Sequence, residues 1–105
     1  MSVAILVEFK DSSRNALYIP LATEGTYSSE WVPLAKSQGL SWLPLFQSGT
    51  TVSVEDLPTV VNEFRRLRAA LASNPRLQFM AERLDVVLER FRDIDSREIA
   101  EIFIG

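Results

Sequence analysis

Asp93, Asp95, Ser96 and Glu98 are the densest group of oxygen ligands in this 105-residue chain, and Arg65, Arg66 and Arg68 the densest group of cations. The first would suit a calcium loop and the second a phosphate surface. The EF-hand pattern wants a ligand where Arg97 stands and a glycine where Glu98 stands, so a helix-ending turn accounts better for residues 93–98. The arginines, placed on a helix that starts at Leu57, point in directions about 80°, 180° and 20° around its axis and form no single stripe. Glu63 stands one turn before Arg66 as a partner. With a net charge of −3 besides, nucleic acid is not an expected partner.

The chain has no His and no Cys, which removes imidazole bases, thiol nucleophiles, Ser-His-Asp triads and the usual zinc ligand sets. Carboxylates could supply an acid and a base, but only where their surroundings drive the two pKa values apart, and no spacing in the chain marks such a pair. Four glycines in no phosphate-binding spacing exclude the common nucleotide loops. Lys10 and Lys36 read as solvated surface. The expectation is therefore a protein without catalytic residues, metal or cofactor.

What could touch a partner is aromatic or oddly placed. Tyr18-Ile19-Pro20-Leu21-Ala22, Trp31-Val32-Pro33-Leu34-Ala35 and Trp42-Leu43-Pro44-Leu45-Phe46 share one pattern at spacings too short for a repeat architecture. Either Tyr18, Trp31 and Trp42 pack into the core or its rim, or they converge on a groove for a partner or a small apolar ligand. Arg68 falls inside the apolar stripe of its helix, so its stem lies along the core rim with the guanidinium in water, or it forms a buried ion pair or an anion site. Phe79 and Val86 lie opposite the apolar stripe of the last helix, with Arg83 and Arg90 beside them, in the pattern of an interface core with a polar rim. Burial by a neighbouring element is the alternative.

These residues need a scaffold, and periodicity predicts one. Val3 to Phe9 alternates as a strand, residues 10–15 make a polar turn, and Asn15 to Leu21 returns as the second arm of a hairpin. Residues 22–29 read as a loop around Gly25, after which Ser28 or Ser29 caps a short helix, Glu30 to Gln38, stopped by Gly39. Leu40 to Phe46 reads as a third strand, kept to an edge or a bulge by Pro44, and Gln47 to Thr51 as a turn. Ser53 and Asp56 form a cap before a helix with Leu57, Val60, Val61, Phe64, Leu67 and Leu71 on one face. Asn74-Pro75 ends it, and a second amphipathic run follows with Leu77, Met80, Ala81, Leu84, Leu88 and Phe91 inward. Ile99 to Ile104 is the last strand.

The order β-β-α-β-α-α-β predicts a single α+β domain over residues 1–105: about four mostly antiparallel strands with a helical hairpin packed on one face. A last strand parallel to the first is the alternative. The apolar run Val3 to Val7 is too short for a secretory leader, and no segment approaches the roughly 20 apolar residues of a membrane span. With no disulfide available, a cytoplasmic protein is expected. The functional expectation is a non-catalytic protein-binding domain, accessory, regulatory or immunity-type, whose partner is another protein or a second copy. A small-ligand domain with an aromatic pocket is the alternative, and a carboxylate-dependent enzyme the last.

Overall fold

The computed structural model describes residues 2–105. Four strands, β1 (Ser2–Phe9), β2 (Leu17–Thr23), β3 (Thr50–Val52) and β4 (Ile99–Ile104), form one sheet in the order β2-β1-β4-β3. Every pairing is antiparallel, including β1 with β4, so the parallel alternative does not hold. Pro20 sits in β2, an edge strand, where a missing N–H disturbs no inner ladder.

Alternation along β1 sends Val3, Ile5 and Val7 inward, joined from the neighbouring strands by Ile19, Leu21, Val52, Ile102 and Ile104. The helical hairpin covers that face. Helix α2 (Leu57–Ala70) contributes Leu57, Val60, Phe64 and Leu67, and helix α3 (Gln78–Arg92) contributes Met80, Ala81, Leu84, Val87 and Phe91, all in one continuous core. Val87, absent from the expected face, is fully buried, while Leu88 lies at the core's edge. The Cα radius of gyration, 13.4 Å, matches the roughly 13 Å of a single 100-residue body.

Two expectations fail for physical reasons. Leu40 to Phe46 is not a strand: Leu43–Gln47 is a 3₁₀ helix with Pro44 in its first turn, and the third strand comes later, at Thr50–Val52. The buried residues there are Leu40, Leu43 and Phe46, a period of three that matches the 3₁₀ turn rather than a strand. Gly49, at φ +86°, makes the turn between the two.

The first helical segment also starts earlier than expected. Thr23 caps it, its hydroxyl accepting from the Thr26 N–H at 3.2 Å, and Glu24 supplies the acidic first turn. Glu24–Thr26, a π turn over Tyr27–Trp31, and Val32–Ser37 run on as one helical stretch, α1, that ends at Gly39 with φ +71°. The extra residue of the π turn places Tyr27 and Trp31 in a stack, with ring centroids 5.3 Å apart and planes 18° from parallel.

Candidate functional site

The helices lie on one side of the sheet, and the other side is open. The strand register puts Leu6 of β1 directly opposite Tyr18 of β2 on one side and Phe103 of β4 on the other, with Thr51 of β3 opposite Phe103. These four residues form one row across the sheet. Tyr18 is 59% and Phe103 41% exposed, and Leu6 is half-buried between them. Pro20, opposite Ala4, widens the apolar area at the β2 edge.

Immediately beside the row, Glu8 stands directly opposite Glu101. Like charges facing each other across an antiparallel pair destabilise it. Among the described residues neither carboxylate has a cation within 4 Å, whereas Glu30, Asp85, Asp93, Asp95 and Glu98 each have an arginine. Leu6, Glu8, Glu101 and Phe103 together line a shallow concavity of about 320 Å³, apolar on the Leu6–Phe103 rung and acidic on the Glu8–Glu101 rung beside it. Phe103 is held from below, its ring packed over Gly49 and Gly105, where a Cβ on Gly49 would come within 2.9 Å of a ring carbon.

Of the residues singled out from sequence, only Tyr18 belongs to this face. Trp31, 1% exposed, lies in the core against Tyr27, and Trp42 is a partly buried residue packed on the core's edge. The three aromatics do not converge. Arg68 reaches across the hairpin to Asp85, with Nε 2.8 Å and a terminal nitrogen 3.4 Å from the two carboxylate oxygens. The pair lies at the rim, with the Arg68 side chain 31% and the Asp85 side chain 57% exposed, so Arg68 forms an ion pair, but a partly solvated one rather than a buried one. Phe79, 53% exposed, and Val86, 37% exposed, do lie on the outer side of α3, with Arg83 between them. Arg90 sits further along the same helix, at a concavity shared with Leu17 and Ile94.

The acidic run at residues 93–98, set aside above as a calcium loop, is spent on internal pairs. Asp95 accepts from the Arg97 N–H at 3.0 Å and from its guanidinium at 2.9 Å, which holds its carboxyl below the usual range, and Glu98 pairs with Arg14. Among the described residues no group of three metal-ligating side chains occurs.

The side chain that sequence reasoning placed wrongly is Glu63. Instead of pairing with Arg66, it turns inward from α2, 6% exposed, and receives the N–H groups that open the 3₁₀ helix. Trp42 N–H lies 2.9 Å and Leu43 N–H 3.2 Å from Oε1, and the Ser41 N–H and hydroxyl lie 3.4 Å from Oε2. Arg66 instead donates to the Gln38 carbonyl at 2.7 Å. Tyr27 completes this buried group by donating to the Leu43 carbonyl at 2.6 Å; burial, and secondarily the Glu63 carboxylate, push its phenol above the ordinary tyrosine range. With both Glu63 oxygens accepting from fixed donors, this carboxylate holds a loop in place.

Leu6, Glu8, Glu101 and Phe103 also escaped notice. The signal was present: alternation places them on the minor face of each strand, and in a one-sided sheet the large apolar residues of that face are the ones to question.

No protein-family model matches the chain, and no curated protein or solved structure does either. No helix among the described residues is long and apolar enough to cross a membrane.

Proposed function

We propose that this chain is a small, non-catalytic protein-binding domain, accessory, regulatory or immunity-type, that docks its partner on the open face of the sheet. The observation that carries the reading is the row Tyr18, Leu6 and Phe103 beside the unneutralised pair Glu8 and Glu101. An exposed apolar row framed by charge has the composition of an interface core with its rim. The acidic pair selects the partner's chemistry: a lysine or arginine whose stem lies on Leu6 and Phe103 while its cation sits between the two carboxylates. Such a residue would bring a cation to two facing carboxylates that have none among the described residues. A cytoplasmic setting fits a chain that has no cysteine.

Affinity capture from the native lysate tests the reading by comparison of variants. The wild type should retain a protein that Phe103→Glu loses and that Glu8→Gln/Glu101→Gln holds more weakly and with less sensitivity to salt, because the ionic part of the contact has gone. Capture unchanged in both variants would move the partner off this face.

A further inference from the structure

The outer side of α3 carries a second surface, independent of the sheet. Phe79, Glu82, Arg83 and Val86 follow one another at i, i+3, i+4 and i+7, a single stripe along the helix. The same four side chains line one shallow concavity of about 380 Å³. The opposite side of α3, through Met80, Ala81, Leu84, Val87 and Phe91, already fills the core, so the stripe is not needed to hold the fold. Phe79 is 53% exposed, and neither Glu82 nor Arg83 has an ion-pair partner among the described residues.

The order along the stripe is apolar, acid, base, apolar. Turned end for end, it becomes apolar, base, acid, apolar, its own complement in charge. We infer that α3 is the seam of a homodimer, two copies packing antiparallel about a two-fold axis that passes between Glu82 and Arg83. In that register Phe79 meets Val86 of the second copy, and Glu82 comes level with Arg83 of the second copy, each long side chain reaching across the seam. Isologous pairing of this kind is the commonest way for a chain to self-associate, since one patch serves both sides.

Charge argues for a second copy over an unrelated partner. An unrelated partner would have to carry a base and an acid at matching positions to satisfy Glu82 and Arg83, whereas a second copy turned end for end supplies both from the same stripe. Charge also argues for this surface over the open sheet, where two copies would bring Glu8 and Glu101 against another such pair with no cation between them. A single helix face is small beside the roughly 1,200–2,000 Å² of a stable interface, so the dimer should be a transient one, with a dissociation constant on the order of tens of micromolar.

Sedimentation equilibrium on the full chain, from about 5 to about 500 μM, reads the proposal across that range. Wild type should pass from monomer to dimer, and Phe79→Glu should remain monomeric. Glu82→Arg and Arg83→Glu should each weaken association by about tenfold, and the double variant Glu82→Arg/Arg83→Glu should return to within about threefold of wild type, because the swap restores the cross-seam pairs. All four positions are exposed or half-buried, and unchanged thermal midpoints separate lost association from lost folding. Phe103→Glu should leave the dimer intact, which keeps this result distinct from the fate of the sheet face. Monomeric wild type at the top concentration, or a dimer indifferent to Phe79→Glu, would overturn the seam. Single reversals that weaken association without rescue in the double variant would overturn the antiparallel register.

Discussion

Glu63 of α2 accepts the backbone N–H of Trp42 at 2.9 Å from a position 6% exposed, so an acidic side chain, not a strand ladder, fixes the segment between α1 and β3. The same carboxylate takes the neighbouring N–H groups of Ser41 and Leu43, the donors that a 3₁₀ turn leaves without partners at its start. A buried charge is tolerated here because fixed N–H donors replace its water.

Removing that carboxylate should therefore cost more than any surface charge. Glu63→Ala, which leaves three N–H groups short of acceptors, is expected to lower stability by about 3 kcal/mol, and Glu63→Gln, which keeps one acceptor oxygen, by about half as much. Arg68→Ala, which breaks a solvated pair with Asp85, should move the midpoint far less than either. Urea melts of the three variants check the order, and an Arg68 effect as large as that of Glu63→Ala would refute it.

Tyr27 should give an alkaline signature. Its phenol titrates above the ordinary tyrosine value in the folded state, chiefly through burial, so the stability it contributes is complete below about pH 10 and is lost as pH climbs past that value toward the raised one. In Tyr18→Phe, where Tyr27 is the one remaining tyrosine, tyrosinate absorbance should stay low until the protein unfolds in alkali. Ionisation at ordinary tyrosine pH, with the fold intact, would contradict the buried placement.

The two tryptophans separate core from rim. In Trp42→Phe the remaining Trp31, 1% exposed and stacked on Tyr27, should emit in the blue and resist acrylamide. In Trp31→Phe the emission of Trp42 should be redder and more easily quenched. Equal quenching in the two variants would show that the core does not close over Trp31.

How far the chain announced this arrangement depends on the period of each segment. β1 is a short β-branched apolar run closed by Glu8, and α2 and α3 carry long apolar stripes, so their place in an α+β fold with a helical hairpin was readable. Residues 40–46 were not: Leu40, Leu43 and Phe46 recur every third residue, and over seven residues that period is easily taken for two. The start of α1 hid because Gly25 and the serines look like a loop, while the Thr23 cap and the π turn depend on backbone geometry. On the open face of the sheet, Tyr18 stands out in the sequence as an aromatic beside a proline. Leu6 and Phe103 do not, because each lies within an apolar run and only strand pairing tells which residues of a run face outward.

The most direct measurement of the central claim is site-specific photo-cross-linking in the native cell, with benzoylphenylalanine placed in turn at residues 18, 103 and, as a control on the exposed β1–β2 turn, 12. Positions 18 and 103 should yield adducts with one and the same polypeptide, absent at position 12 and lost when Leu6→Asp is added to a chain that still melts cooperatively. Adducts that are equally abundant at position 12, or that persist with Leu6→Asp, would contradict a partner docked on the open face of the sheet.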